Sequence, residues 1–422
     1  MAIFSLSNER LIKGVSVVDS HLNVDGAQFQ IQGVTYSKEP LEKDFQLMKE
    51  MGVNAIRTWG VSDSTERLLD FSQKYNIKVL LGIWMRHGRS SAEGDDNFDW
   101  VHDEKGKNKQ LKDTIAAVKK YRKHPALLAW GVGNEVTLNI ATKREKICYA
   151  RFLEKISKAV KRLDSKHPVS SISAWTTDVP FWKRFCKSID IYGVNVYGYG
   201  AYALPHALNR LKVYKPFFLG EFGPTGEWEA RLDANGVKVE PSDLEKYRIF
   251  AEVWPKIKAT AGQRFLGGFF FNYGDELNFA GIWLNMFINN RKRPSYWGAR
   301  KAFIGQSETH GWPRIEKFVL INAKTPQACG SWVQARVEVS REMTASDKIS
   351  FYYNQRQGMR KERDAVIPMF HELGGSAIQY RVKLPSKPGP TKIYAFLEDA
   401  HCNLMIASTS VQIISRTGLH KL

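Results

Sequence analysis

The most constraining feature of this sequence is a regular alternation of short apolar runs with amphipathic helical stretches. Eight apolar runs have the length and composition of buried strands, and helical patterns separate most of them. The predicted strands cover residues 29–36, 53–59, 77–84, 127–135, 169–175, 189–197, 216–221 and 266–273. Eight such units are typical of a (β/α)8 barrel, the TIM barrel, although an open, doubly wound sheet shows the same alternation.

Polar and aromatic side chains recur at the carboxyl ends of these predicted strands, and this favours the closed barrel. In barrel enzymes the carboxyl ends of all eight strands meet on one face, where the catalytic residues lie. We therefore expect a single site formed by the strand-end residues, which are Arg57, Trp59, Asn134, Glu135, Trp175, Asn195, Tyr197, Glu221, Asn272 and Tyr273.

Two segments of different character flank the barrel pattern. Near the start, alternating segments surround Asp25-Gly26, a dipeptide favoured in the tight turn of a hairpin. Towards the end the helical period disappears, and short alternating segments punctuated by proline and glycine replace it. We expect a hairpin that caps the barrel at 1–28, a catalytic barrel at 29–312 and an all-β, immunoglobulin-like sandwich at 313–422.

The chain is strongly basic, with 62 lysines and arginines against 43 aspartates and glutamates. The excess is spread along the chain, and its densest stretch, 143–167, has the apolar spacing of an amphipathic helix. We interpret it as a solvated surface that suits an acidic glycan or an anionic cell surface, and we expect no nucleic-acid site. The longest apolar run, 265–271, is far shorter than the roughly 18 residues of a membrane span, so no span is expected.

The four cysteines are widely scattered and lack the paired spacing of a metal site. We therefore expect free thiols, no metal and no cofactor. Charged residues interrupt positions 1–28, so no signal peptide is visible there. The compartment stays open: it is cytoplasmic unless a leader was removed, in which case the protein is periplasmic or secreted.

One motif suggests a different class of protein. Gly198–Ala203 fits the glycine pattern of a dinucleotide-binding loop, and Glu221 follows about 20 residues later. Pro205, however, lies inside the helix that should open there, and the unit is sixth in the series rather than first. We therefore regard dinucleotide binding as the weaker interpretation.

Two predicted strands end in a glutamate. Glu135 and Glu221 are three βα units apart, at roughly 30 residues a unit, which places them on the fourth and seventh strands, across the barrel mouth. Glycoside cleavage requires two such opposed carboxylates, one to protonate the leaving oxygen and one to meet the anomeric carbon. The alternative is that each glutamate only forms a salt bridge with a basic neighbour.

Six short motifs extend this pattern: Gly33–Tyr36, Asn54–Arg57, Gly133–Val136, Gly220–Gly223, Gly281–Trp283 and Asn290–Trp297. With these motifs the sequence resembles the clan A retaining glycoside hydrolases, which are TIM barrels with catalytic glutamates on strands four and seven. The likeness covers residues 29–305. It is nearest to families 2 and 5 and to the family 72 glucanosyltransferases.

The resemblance implies roles for individual residues. Glu135 would be the acid/base, Glu221 the nucleophile, and Asn134 a donor to the sugar 2-hydroxyl. Arg57 would stabilise the charge of the nucleophile, and Tyr197 would hydrogen-bond to it. Further substrate contacts are expected from Trp59, Trp175, Asn195, Asn272 and Trp283.

The implied activity is the retaining hydrolysis of a β-linked oligo- or polysaccharide, such as a β-glucan, by double displacement. Two alternatives stay open: a glucanosyltransferase that uses the same site, and a catalytically inactive barrel that binds glycan. Tyr199 and Trp228 could form an acceptor platform for transfer. The two opposed acids argue against a pure binding protein, which has no need of them.

Overall fold

A computed structural model of the chain describes residues 14–88, 96–306, 311–321, 325–355, 366–374 and 379–415. Residues 1–13 of the predicted N-terminal hairpin segment lie outside the described residues. The described chain opens with a three-stranded antiparallel sheet formed by β1 (Val15–Val18), β2 (His21–Val24) and β3 (Ala27–Gln28).

The turn between β2 and β3 is the one predicted from the sequence. Asp25 and Gly26 have φ values of 51° and 86°, in the left-handed region that a tight hairpin turn requires. On the side of the sheet that faces the rest of the chain, Val15 and Leu22 pack in one apolar cluster with Leu128 of the following barrel. This contact holds the hairpin against the interior of the barrel.

Eight parallel strands form a closed barrel, which confirms the predicted fold class and excludes the open sheet. The last strand pairs with the first, so the barrel has no free edge. The strands are β4 (Ile31–Tyr36), β5 (Ala55–Arg57), β6 (Lys78–Ile83), β7 (Leu127–Asn134), β8 (Val169–Ala174), β9 (Ile191–Asn195), β10 (Phe217–Phe222) and β11 (Phe265–Tyr273).

Helices surround the barrel in the order that the apolar periodicity predicts. They are α1 (Glu42–Met51), α2 (Thr65–Lys74), α3 (Glu104–Tyr121), α4 (Lys143–Leu163), α5 (Val179–Phe185), α6 (Leu204–Arg210), α7 (Asp243–Arg248), α8 (Trp254–Thr260), α9 (Phe279–Leu284) and α10 (Pro294–Ile304). A π-helical turn, Ile249–Val253, joins α7 to α8. None of the helices within the described ranges is both long enough and apolar enough to cross a membrane.

Two predictions about helices have clear outcomes. The basic helix α4 is amphipathic as expected, because Phe152, Leu153 and Ile156 on its apolar face are buried. Pro205 does not interrupt a helix as expected, because it lies in the first turn of α6, where a missing N–H breaks no helical hydrogen bond. The dinucleotide interpretation nevertheless fails, since the glycine motif belongs to a closed barrel and not to an open sheet.

The C-terminal part is all-β, as predicted. A small hairpin of β12 (Phe287–Ile288) and β13 (Arg291–Lys292) precedes α10, and after this helix two sheets follow, with strand orders β14-β16-β20-β19 and β15-β22-β21-β17-β18. These strands are β14 (Ile315–Leu320), β15 (Gln327–Ala328), β16 (Trp332–Val339), β17 (Lys348–Asn354), β18 (Ile367–Pro368), β19 (His371–Leu373), β20 (Gln379–Lys383), β21 (Gly389–Glu398) and β22 (Leu404–Ile414). Rings from both sheets meet, with centroids of Phe318 and Phe351 5.9 Å apart.

Charged side chains are buried where the barrel meets the C-terminal sheets. Lys246 of α7 and Lys392 of β21 both contact the carboxylate of Glu240, at 2.7 and 3.2 Å. Beside them, Asp243 accepts hydrogen bonds from the Arg293 guanidinium and, across the interface, from a backbone N–H of β22. The two parts of the chain are thus joined by ion pairs that are shielded from water.

This interface predicts how the stability of the fold depends on pH. Burial raises the pKa of Glu240, but the charges of Lys246 and Lys392 outweigh burial and hold that pKa at about 2. Because this value lies below the ordinary value of 4.5, the ionised carboxylate stabilises the fold above pH 4.5, and the contribution is lost as the pH falls towards 2.

We therefore expect Glu240→Gln to lower the free energy of unfolding at pH 7 by about 3 kcal/mol, since it leaves two buried ammonium groups without their counter-charge. The difference from the parent protein should shrink as the pH is lowered towards 2. Urea denaturation at pH 7 and pH 3 measures both effects. A difference that is equal at the two pH values would contradict the assignment.

Candidate active site

A cavity of about 880 Å³ lies at the carboxyl ends of the barrel strands. Both predicted catalytic glutamates, Glu135 and Glu221, line it. Glu135 directly follows β7, the fourth barrel strand, and Glu221 lies in β10, the seventh. The barrel therefore brings the two carboxylates, which are far apart in the sequence, to one cavity.

Arg57, at the end of β5, is the buried charge of this region, with 1% of its surface exposed. Its Nη1 donates to the carboxylate of Glu221 at 3.1 Å and to the carbonyl oxygen of Gly220 at 2.7 Å. Its Nη2 donates to Oδ1 of Asn134 at 2.7 Å. One guanidinium thus fixes the ends of two strands relative to each other, because its two Nη atoms donate to acceptors on both.

The carboxylate of Glu221 accepts three side-chain hydrogen bonds. Oε1 accepts from Arg57 at 3.1 Å and from the indole N–H of Trp59 at 3.2 Å, and Oε2 accepts from the hydroxyl of Tyr197 at 2.5 Å. Donors on both oxygens fix the plane of the carboxylate. The salt bridge considered from the sequence is present for Glu221, but two neutral donors accompany it.

The second carboxylate depends on an unusual backbone conformation. Glu135 has a φ of 50°, in the left-handed region that is costly for a residue other than glycine. Successive residues of a strand point to opposite faces, so a turn at this residue is what allows Asn134 and Glu135 both to reach the mouth of the barrel. The carboxylate of Glu135 accepts a hydrogen bond from Nδ2 of Asn195 at 2.7 Å.

The amide of Asn134 has a fixed orientation. Its Oδ1 accepts from Nη2 of Arg57 at 2.7 Å and from Nδ2 of Asn195 at 3.1 Å, so the amide nitrogen must point the other way. That nitrogen is buried and has no hydrogen-bond partner. Since an unsatisfied buried donor costs free energy, this N–H group is suited to bind an acceptor that enters the cavity.

His87 follows the third barrel strand, a position that suits a cleft residue and a plain loop residue equally, and it supports the site by contacting the backbone of Asn134. The ring is fully buried, stacks on Trp84 at 4.7 Å, and lies 3.0 Å from the carbonyl oxygen of Asn134. Burial lowers the pKa of His87, so the ring is neutral near pH 7. Its other ring nitrogen contacts the amide of Asn139, which leaves Nε2–H to donate to the Asn134 carbonyl.

Aromatic side chains form part of the cavity wall. Trp175, with a φ of 50° and 38% of its surface exposed, lines the cavity together with Tyr199 and Trp228. Flat, partly exposed rings of this kind offer an apolar face with a polar edge to a ligand. Trp228 also packs edge-on against Tyr197, with centroids 4.9 Å apart.

Two of the predicted substrate contacts lie elsewhere. Trp283 is completely buried, and its indole N–H donates to the carbonyl oxygen of Thr225 at 2.9 Å, so the prediction that its ring receives a sugar is wrong for this structure. The periodicity of α9 marks Trp283 as apolar but not which surface covers it. Asn272 is bound within the protein, since it accepts from Thr35 and donates to Asn285, both at 3.1 Å.

No group of three or more His, Cys, Asp or Glu side chains within the described part of the chain is placed to hold a metal ion. The cavity presents the carboxylates of Glu135, Glu221 and Glu229. The carboxylate of Glu221, held by three donors, faces a cavity that also contains the carboxylate of Glu135, which accepts from Asn195.

Comparisons with known proteins agree with this arrangement. The family model described as "Glycosyl hydrolases family 2, TIM barrel domain" matches residues 15–227. The β-glucuronidase of Mus musculus is 23% identical over 227 residues, which cover 50% of this chain and 31% of the relative.

Two solved structures share the fold. The β-glucuronidase 2 of Bacteroides uniformis, covalently bound to cyclophellitol-6-carboxylate aziridine, superposes with a TM-score of 0.52 at 13% identity over 96% of this chain and 49% of that chain. The β-D-glucuronidase of Dictyoglomus thermophilum gives a TM-score of 0.51 at 18% identity, with 69% of this chain and 53% of that chain covered. The chain thus spans about a third of the curated relative and about half of these structures.

The buried pair of Arg57 and Glu221 predicts a stability effect. Glu221→Ala leaves the guanidinium without its counter-charge, and breaking such a pair costs about 3–5 kcal/mol, so a lower free energy of unfolding is expected. Glu229→Ala is the matched control, because this residue lines the same cavity but is exposed. Urea denaturation compares the two. Equal stability of both variants would contradict the pairing.

Proposed function

The chain belongs to glycosyl hydrolase family 2 through its TIM barrel domain, and from this premise we propose that it is a retaining glycosidase that cleaves β-linked sugars. Glu221 is the nucleophile and Glu135 is the acid/base. The observation that carries the proposal is the unequal pair of carboxylates in one cavity. Glu221 accepts from Arg57, Trp59 and Tyr197, whereas Glu135 accepts from the neutral amide of Asn195.

The reaction proceeds in two steps. In the first, a carboxylate oxygen of Glu221 forms a bond to the anomeric carbon while the bond from that carbon to the leaving oxygen breaks, and Glu135 gives its proton to that oxygen. In the second, Glu135 takes a proton from water, which attacks the anomeric carbon and releases Glu221. Two inversions at the same carbon retain its configuration.

The surrounding residues orient the reacting groups. Donors on both oxygens of Glu221 hold the carboxylate in position for attack, so little reorganisation is needed during the reaction. The unpaired amide N–H of Asn134 binds the 2-hydroxyl of the sugar, which satisfies a buried donor that is otherwise without a partner. His87 holds the backbone of Asn134 in place for this contact.

The charge of the cavity supports a neutral sugar as substrate. The relatives described above are β-glucuronidases, whose substrate carries a carboxylate. No lysine or arginine is found among the described residues that line the cavity here, whereas Glu135, Glu221 and Glu229 are. A carboxylate on the sugar would meet like charges without a partner, which costs free energy. We therefore favour a neutral β-linked oligo- or polysaccharide, such as a β-glucan.

The division of roles between the glutamates can be tested directly. Glu221→Ala should abolish turnover of every substrate, because no glycosyl intermediate forms. Glu135→Ala should retain activity on an aryl glycoside with an acidic phenol as leaving group, since that group leaves without a proton. Rates on the aryl glycoside and on an oligosaccharide, with NMR of the first-formed anomer, measure both. The proposal would be wrong if both variants lost all activity on the aryl glycoside, or if the first-formed product had the inverted anomeric configuration.

A second prediction concerns the sugar. We expect at least one neutral aryl glycoside to be cleaved with a kcat/KM at least about tenfold above that of the aryl β-D-glucuronide. The neutral glycosides to compare are the aryl β-D-glucoside, β-D-mannoside and β-D-galactoside. The common aryl group keeps the leaving group constant, so the ratio reports the sugar alone. A glucuronide that is the best substrate of the panel would show that the argument from cavity charge is wrong.

A further inference from the structure

The segment between β10 and α7, residues 223–242, forms one wall of the cavity. We call this segment the β10–α7 loop. It supplies Thr225, Trp228 and Glu229 to the lining, and it begins two residues after Glu221. Its far end leaves the barrel mouth and lies against the C-terminal sheets.

Ser410 of β22 binds the middle of this loop. Its hydroxyl donates to Oδ2 of Asp233 at 2.6 Å and accepts from Nδ2 of Asn235 at 2.9 Å. The other oxygen of Asp233 accepts from the backbone N–H groups of Asn235 and Val237, both at 2.9 Å, and so closes the turn internally. A single hydroxyl of the C-terminal sheets therefore holds a preformed turn of the loop.

Lys392 of β21 holds the end of the loop and reaches further towards the site. Its ammonium group contacts Glu240, the loop residue described above, and lies 4.4 Å from the centre of the Trp283 ring. Trp283 in turn donates to the carbonyl oxygen of Thr225, at the beginning of the same loop. Lys392 thus supports the loop at one end directly and at the other end through Trp283.

The same contacts continue to the carboxylate of Glu221. Phe271 packs against the small apolar cluster that contains Trp283. The ring of Phe271 also meets Trp59 and Tyr197 edge-on, with centroids 6.1 and 5.9 Å apart. Both of these residues donate hydrogen bonds to Glu221.

We propose that the C-terminal sheets are part of the active site rather than a separate glycan-binding module, and that Lys392 and Ser410 are positioning residues for the β10–α7 loop. This inference rests on the proposed function, and it assigns the wall that the loop forms to the leaving portion of the sugar chain, because Thr225 and Trp228 line the cavity that holds both catalytic carboxylates. The sheets set the position of Trp228 and Thr225 without touching substrate themselves.

Limited proteolysis tests the anchoring without any assay of activity. Arg231 is exposed in the loop, so trypsin cleavage after it reports how often the loop opens. We expect Ser410→Ala to accelerate this cleavage by roughly fivefold or more, the effect of losing about one net hydrogen bond. Lys392→Met should accelerate it further, because it removes one partner of a buried ion pair. Val382→Ala is the control, since this residue is fully buried in the other C-terminal sheet. It should weaken the sheets without changing loop cleavage.

Kinetics test the consequence for the site. Ser410→Ala should raise KM for an oligosaccharide by about tenfold, because a displaced wall binds the leaving sugars poorly. For a glycosyl fluoride, kcat/KM should change by less than about twofold, because fluoride does not occupy that wall. Ser410→Thr, which keeps the hydroxyl, should restore the oligosaccharide KM. Val382→Ala should leave the kinetic constants for both substrates unchanged when they are calculated per folded molecule.

These experiments distinguish the anchoring of the loop from the proposed reaction. If Ser410→Ala and Lys392→Met are cleaved in the loop at the rate of the parent protein, the anchoring is wrong. If Ser410→Ala loses activity equally on the oligosaccharide and on the glycosyl fluoride, or if Val382→Ala shows the same losses, the positioning role is wrong. If instead the parent protein cleaves no glycoside while the loop opens faster in both variants, the anchoring stands and the proposed reaction is what fails.

Discussion

The buried guanidinium of Arg57 is the charge on which the arrangement of the barrel mouth depends. It donates to the carboxylate of Glu221, to the Gly220 carbonyl and to the Asn134 amide, and so joins the ends of two strands that lie across the barrel. A buried cation needs acceptors close to its charge, and both Nη atoms of Arg57 have them, although its Nε has no partner. The requirement of Arg57 for partners therefore fixes the same groups that the proposed reaction uses.

Around this charge, the polar contacts form a connected set. Asn195 binds both Asn134 and Glu135, and Tyr197 and Trp59 complete the contacts of Glu221. Because these side chains come from β5, β7, β9 and β10 or their ends, no single βα unit contains a working site. Closure of the barrel is what assembles it, which explains why strand pairing around the full circle matters for function.

The interface with the C-terminal sheets follows the same physical rule. Lys246, Lys392 and Glu240 are shielded from water, so each charge needs its partner in place. The interface therefore holds the barrel and the C-terminal sheets in one defined arrangement. This specificity is the physical basis for proposing that the sheets fix the position of a cavity wall, a role that neither their strand pattern nor their composition indicates.

The sequence by itself determined the local features: eight apolar strands, amphipathic helices, the Asp25-Gly26 turn and the two glutamates at strand ends. These follow from periodicity and turn chemistry, which act between residues close in the chain. Only the tertiary structure decided that Trp283 is covered by Lys392 and so cannot meet a sugar, that His87 supports Asn134, and that Glu135 turns into the cavity. Burial and hydrogen-bond partners at these positions come from segments distant in sequence, and their pairing is set by the packing of the whole chain.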